Sequence, residues 1–288
     1  MIECVPNFSE GQDRAVVDRI ASAIASAPGV GVLGWEADAD HHRSVVTFAG
    51  EAEAVLEGAL RGVGEAANLI DLRKHQGIHP RVGACDVLPF IPLSGGWMED
   101  CIMLAHRAGR EIWLRYGIPV YFYEGAARLE SRRFLQNVRR DGFDGHPPDV
   151  GTYDTHPTAG AVCVGARQFL IAYNVELASG DVAVAQAIAR KIRASSGGIP
   201  FVKALGLLLS SRNIAQVSMN LTNFPETDLD GLLAAIEREA AVLGTRVTGC
   251  ELIGFVPQAA YKQAPCFFER ARDFSPARII EKRIAQLG

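Results

Sequence analysis

Several things are missing from this chain of 288 residues, and each absence removes a class of function. No block of lysine and arginine appears, and the net charge is −4 with a pI near 6.0, so the overall field does not favour a nucleic-acid backbone. An anionic small molecule must instead be met by local arginines. Long apolar runs are absent too. The longest, such as Ala204–Leu209, fall far short of the ~20 residues that span a bilayer. The N-terminal MIECVPNFSEG carries neither a basic leader nor an apolar stretch, which leads us to expect a cytoplasmic protein. None of the six cysteines forms a C-x-x-C pair, and most sit in apolar segments, so free buried thiols are expected. The sequence also lacks a Walker loop, a G-x-S-x-G elbow and a G-x-G-x-x-G turn, so nothing supports nucleotide hydrolysis, α/β-hydrolase chemistry or a Rossmann cofactor.

What is present alternates between two periods. Ile2–Phe8 reads as a strand. Ser9 followed by Gln12 has the capping-box spacing for a helix running to about Ala27. Strands follow at Val30–Glu36 and Ser44–Gly50, then a helix over AEAVLEGALRGVGEAANLI, the strand DVLPFIPL, a helix from Met98 to about Tyr116, and the strand Pro119–Glu124. A long β run, AVCVGARQFLIAYNVEL, opens the second half. It is followed by a helix from near Asp181 to the glycines at 197–198, strands in FVKALGLLLSS and NIAQVSMNLTN, a helix from about Asp228 to Leu243, and the strand in RVTGCELIGFVP. Both halves can be written strand–helix–strand–strand–helix–strand. The expected class is therefore α+β, two ferredoxin-like (βαββαβ) subdomains in tandem, divided as residues 1–178 and 179–288. The segment Arg139–Gly160, rich in Gly, Pro and Asp, is too long to be a plain connection in a compact protein, and its aromatic and histidine content favours a functional loop.

Three groups of polar residues could carry chemistry. His79 lies between Ile78 and Pro80, and the proline restricts its backbone to the extended region, so the imidazole is displayed from a stiff base beside Arg81. An imidazole near neutrality suits proton transfer, although a loop histidine can equally serve folding through a hydrogen bond. Asp38, Asp40, His41 and His42 form a second cluster, either a solvated turn or the entrance to a site. Arg43 begins the following strand and is a candidate for anion recognition, the alternative being a surface ion pair. His75 and His79 are spaced like metal ligands on a helix, but Gly77 and Pro80 oppose a helix there, and no metal is expected.

The stretches ECVPNFSEG, HRSVVTFAG, IDLRKHQGIHPRVGACDVLPFIPL, GIPVYFYEGAAR, HPTAGAVCVGARQFLIAYNV and NIAQVSMNLTNF together resemble the glutamate formimidoyltransferase family, whose domain also forms the N-terminal part of formimidoyltransferase-cyclodeaminase. The resemblance runs from Ile2 to about Pro257. It implies a ligand tunnel between the two subdomains, a homodimer, and transfer of a formimino group from N-formimino-L-glutamate to N5 of tetrahydrofolate, a step of histidine breakdown. Tetrahydrofolate is then a co-substrate, with no metal. The family's catalytic histidine falls on His79. Its supporting aspartate falls on Glu36, one methylene longer, and an asparagine usual before the arginine falls on His42. Arg43 and Arg81 are the expected substrate-binding arginines. The folate-contacting loop falls on Gly151, Thr152, Tyr153, Asp154, Thr155, His156, Pro157, Thr158, Ala159 and Gly160. No cyclodeaminase segment follows Gly288, so ring closure of the product is expected to need a separate protein. Competing readings are a folate-linked formyl transfer, a non-catalytic folate or amino-acid binder, and a metal hydrolase built on HQGIH and DADHH.

Overall fold

The computed structural model describes residues 1–75, 81–93, 95–141 and 147–287. The chain divides into two compact units, the first Met1–Gln168 and the second from Phe169 onward. Ala178, where the sequence reading divides the chain, lies just past a strand of the second unit. The reason is visible in the long β run of residues 161–177. Residues 167–170 are not strand, and the two parts of the run pair in different sheets. Hydrophobic periodicity alone cannot find such a break, because both parts are buried.

In the first unit the chain runs β1 (Ile2–Cys4), β2 (Asn7–Phe8), α1 (Arg14–Ala25), β3 (Val30–Asp38), β4 (Arg43–Gly50), α2 (Ala52–Leu69), β5 (Cys85–Pro92), α3 (Met98–Tyr116), β6 (Val120–Glu124), α4 (Leu135–Asp141) and β7 (Val162–Ala166). Strands β1 and β2 are one path broken at Val5–Pro6, since both lie between β4 and β5. The sheet order is then β3, β4, β1/β2, β5, β7, β6, antiparallel up to β5 and parallel from β5 to β6. Parallel strands need crossovers: α3 carries the chain from β5 to β6, and the connection containing α4 returns it to β7 between them.

The α1 start differs from the capping-box expectation. Ser9 Oγ donates to Gly83 O at 2.7 Å, and Asp13 caps the helix by accepting from Ala15 N. Alternation sorts the side chains into two faces. Phe8, Phe48, Leu88, Phe90, Phe122 and Val164 pack under α1, α2 and α3 in the main core. On the other face, Val87, Tyr121, Tyr123 and Cys163 pack with Leu135 and Val138 of α4.

The second unit consists of β8 (Ile171–Leu177), α5 (Val182–Ile192), β9 (Val202–Leu209), β10 (Ile214–Leu221), α6 (Leu229–Val242) and β11 (Val247–Ile253), followed by short helices α7 (Gln258–Gln263), α8 (Pro265–Glu269) and α9 (Ile280–Ala285). Its sheet is antiparallel throughout, ordered β11, β8, β10, β9. Asp181 and Asp228 each accept a backbone N–H from the first turn that follows, which fixes the starts of α5 and α6 where the sequence placed them. Tyr173, Val217, Leu232, Ile236 and Phe267 lie in this unit's own core. Five cysteines are buried free thiols, as expected; Cys266 is exposed. No helix among the described residues is long and apolar enough to cross a membrane.

Candidate active site

The polar residues singled out in the sequence converge on one region of the first unit. Asp86 lies within the apolar strand CDVLPFIP yet is fully buried. A buried carboxylate must be compensated. Its Oδ2 accepts from Arg43 Nη1 at 2.7 Å and from Arg139 Nη2 at 2.5 Å, and its Oδ1 accepts from Val82 N at 2.6 Å. Burial pushes this carboxyl up, but Arg43 and Arg139 outweigh that and hold it below the ordinary aspartate value. Arg43 is therefore a buried member of an Arg–Asp–Arg set rather than a surface ion-pair partner. It also donates from Nε to Asn7 Oδ1 at 3.0 Å. Arg81 is half-buried. Its Nη2 donates to His41 O at 3.3 Å, and its Nη1 is buried with no hydrogen-bond partner among the described residues.

The turn between β3 and β4 is not a solvated one. His41 N donates to Asp38 Oδ1 at 2.8 Å, and His42, at φ 50°, is only 7% exposed. Its ring lies 3.6 Å, centroid to centroid, from that of His75. Glu10 completes the group. Its Oε1 accepts the amides of Gly11, Gln12 and Asp13 at 2.8–3.0 Å and stands 3.5 Å from His42 Nδ1. Burial pushes both imidazoles down, His75 to about 4, because the Glu10 carboxylate does not repay the lost hydration and the Arg81 guanidinium adds to the shift. Burial therefore favours the neutral form of both rings. The donor set Glu10, His42 and His75 contains the atom types that ligate a metal ion. The spacing of His75 and His79 does not reveal this trio. What brings His75 to HQGIH's partner motif DADHH is the tertiary fold, and Glu10 carries no sequence signal of its own.

His79 lies outside the described residues, as do its neighbours 76–80. The segments flanking it are joined to the 151–160 loop. Leu72 N donates to Thr158 O at 2.9 Å, Ala84 N to Ala159 O at 2.9 Å, and Ala161 N to Val82 O at 3.0 Å. The second part of the Gly151–Gly160 loop is therefore stitched to both flanks of the His79 segment. His156 closes this part on itself: its N–H donates to Gly160 O, Gly160 N–H donates back to His156 O, and its Nδ1 accepts from Ala159 N at 3.0 Å. The first part, Gly151, Thr152, Tyr153, Asp154 and Thr155, is exposed; Tyr153 is 62% exposed. The fold itself requires both glycines. A Cβ at Gly160 (φ 68°) would stand 2.4 Å from Val82 O, and one at Gly151 (φ 104°) would stand 2.8 Å from the Trp113 ring. Glu36 is half-buried on β3, opposite Val45 of β4. Asn7 faces the same Val45 from the other side, so Glu36, Asn7 and Arg43 share one face of the sheet.

Sequence reasoning missed Asp86, Arg139 and Glu10. A signal existed for the first, since an acidic residue inside an apolar strand calls for a cation. None existed for Arg139, which arrives from α4.

Residues 1–167 match the family model described as the formiminotransferase domain, N-terminal subdomain, and residues 172–288 match that of the formiminotransferase domain. The chain is 40% identical to glutamate formimidoyltransferase of Streptococcus pyogenes serotype M1, over 95% of each chain. It is 39% identical to the protein of the same name from Thermoplasma acidophilum, over 99% of this chain and 97% of that one. Rat formimidoyltransferase-cyclodeaminase is 39% identical over 93% of this chain, which spans 52% of the rat protein. On these matches, which cover both units and nearly every residue, the chain belongs to the formiminotransferase family.

Proposed function

We propose that this protein is a glutamate formimidoyltransferase that moves the formimino group of N-formimino-L-glutamate to N5 of tetrahydrofolate, giving 5-formiminotetrahydrofolate and L-glutamate in histidine degradation. The observation that carries the reading is the 40% identity to a glutamate formimidoyltransferase across 95% of both chains. On this reading the two units are ferredoxin-like, the enzyme is a cytoplasmic homodimer, and tetrahydrofolate is its co-substrate.

The chemistry needs two proton transfers. N5 of the folate attacks the amidine carbon and loses a proton as the tetrahedral intermediate forms. The glutamate nitrogen then takes up a proton before the C–N bond to it breaks. One group that accepts and then returns a proton serves both steps. His79 is assigned that role, with Glu36 orienting it. Of the two arginines, Arg81 is the better carboxylate ligand for the glutamate moiety. Its buried Nη1 lacks a partner among the described residues, whereas Arg43 is engaged by Asp86. Arg43 then contributes by holding the charge balance of the site. The Gly151–Gly160 loop is assigned to folate, with Tyr153 as a stacking face.

A spectrophotometric assay with formiminoglutamate and tetrahydrofolate, run beside formylglutamate, tests the proposal. Turnover of the formimino donor is expected. Turnover of the formyl donor alone would assign the related formyl transfer, and folate binding without turnover of either would leave a binding protein.

A further inference from the structure

The trio Glu10, His42 and His75 brings together three segments far apart in the chain: the loop before α1, the β3–β4 turn and the residues after α2. Each offers one donor atom within 4.8 Å of the other two. His42 Nδ1 and Glu10 Oε1 stand 3.5 Å apart, near the separation of roughly 3.3 Å for ligands about 2.0–2.1 Å from a tetrahedral ion. Two imidazoles at 3.6 Å with a 50° tilt are too close and too inclined to be an ordinary stacked pair, and they turn nitrogen atoms toward a shared space. His75 Nε2 is buried with no hydrogen-bond partner among the described residues, an orphan of the kind that calls for a ligand.

We propose that Glu10, His42 and His75 bind one divalent transition-metal ion of the zinc class. Two imidazole nitrogens and one carboxylate oxygen suit a borderline ion better than magnesium or calcium, which prefer all-oxygen shells. The site is preorganised. Three backbone amides fix the Glu10 carboxylate, and the β3–β4 turn holds His42 in the left-handed region. Three protein ligands leave a coordination position for water or a small anion. Two features keep the affinity below that of a structural zinc site. The Arg81 guanidinium is close enough to oppose a cation, and Gly11 N–H donates to His42 Nδ1 at 3.2 Å, so binding through that nitrogen displaces a hydrogen bond. The ion is additional to the proposed transfer chemistry, which uses no metal step. Because the first unit's folded chain supplies every ligand, an ion here ties His75 to the loop before α1.

The test is direct metal binding by the full-length, tag-free protein after treatment with a chelator. Co²⁺ titration is expected to give visible d–d bands that saturate at one ion per chain, and Zn²⁺ should bleach them by competition. His42→Asn and His75→Gln should each weaken binding by more than about 100-fold, since losing a ligand costs more than disturbing its support. Circular dichroism establishes that the variants are folded. His75→Gln removes a nitrogen that satisfies nothing else, so it keeps the test open if His42→Asn does not fold. Cys266→Ser, at the exposed thiol, should leave the titration unchanged. No Co²⁺ or Zn²⁺ binding by the wild type, or binding that survives both histidine substitutions, would overturn the site. Because the readout is the ion itself, failure of the transferase assay leaves this result intact, and the reverse also holds.

Discussion

Both units build a sheet whose second face, away from the main helical core, carries a buried carboxylate between two arginines, and the two sets differ in solvent access. In the first unit Asp86 is fully buried, and the side chains of its partners Arg43 and Arg139 are 11% and 19% exposed. In the second, Glu176 is also buried, but Arg212 and Arg272 are 40% and 46% exposed. The titratable chemistry is as unequal. All seven histidines precede residue 157, in the first unit, and the second has none. The antiparallel part of the first sheet, β3, β4, β1/β2, β5, has the same order as β9, β10, β8, β11, yet the two are unequal in titratable side chains. Chemistry that needs an imidazole near neutral pH can be carried only by the first unit.

The largest effect expected from breaking this inequality is at His79. His79→Ala should lower turnover by about 10²–10⁴-fold, the usual worth of general acid–base catalysis, with the melting temperature little changed. Glu36→Gln should give a smaller fall in turnover and leave folate affinity unchanged, because its assigned role is to orient the histidine. Full activity in the His79 variant would remove the first unit's histidine from the mechanism.

The elements of the second unit were more legible than those of the first, for a physical reason. Its two longer helices, α5 and α6, are each preceded by an aspartate that caps them, and the strands alternate or are bounded by turn residues. The first unit follows the same grammar until β5, after which α3, β6, α4 and β7 extend the sheet with parallel strands. Such strands are buried on both faces and read as continuous apolar runs. That is why β7 and β8 merge into one run in the sequence. The site was legible in part. His79, Arg43, Arg81 and the 151–160 loop come from recognisable motifs, whereas Glu10, Asp86 and Arg139 act through contacts made over 32 to 53 residues of chain.

A second comparison sets the two carboxylates against each other. Asp86→Asn leaves two buried arginines without their counter-charge and should cost about 3–5 kcal/mol. Glu176→Gln, with arginines that water can reach, should cost about 1 kcal/mol or less. Urea denaturation followed by circular dichroism measures both. The three tryptophans, Trp35, Trp97 and Trp113, all lie in the first unit, so their fluorescence reports that unit separately. Acid sharpens the contrast. Asp86 is held below its ordinary value, so between that depressed value and about pH 3.9 the native state binds fewer protons than the unfolded chain. Its stabilisation is present above the unfolded value and is lost as pH falls through the folded one. Asp86→Asn should therefore flatten the fluorescence-detected stability profile below about pH 4. Equal costs for the two substitutions would mean that solvent access does not distinguish the two sets.

The smallest expected effect concerns the loop the first unit carries and the second lacks, Gly151–Gly160. Its two parts are predicted to behave differently. The amides of His156, Ala159 and Gly160 donate to Gly160 O, His156 Nδ1 and His156 O, while the carbonyls of Thr158 and Ala159 accept from Leu72 and Ala84, so these amides should exchange slowly whether or not a ligand is present. Residues 151–155 are exposed and should exchange quickly in the free protein. If this part covers folate, folinate should slow its exchange while leaving residues 156–160 as they were. Tyr153→Ala should then raise the folinate Kd by about 2- to 12-fold, the equivalent of about 0.5–1.5 kcal/mol for one aromatic contact. Global stability should hardly move, because a side chain that is 62% exposed contributes little core. Unchanged exchange at 151–155 in a folate-saturated sample would remove the loop from the binding site. The stitched half would then stand as a brace for the segment that carries His79, a role that its bonds to both flanks support independently of any ligand.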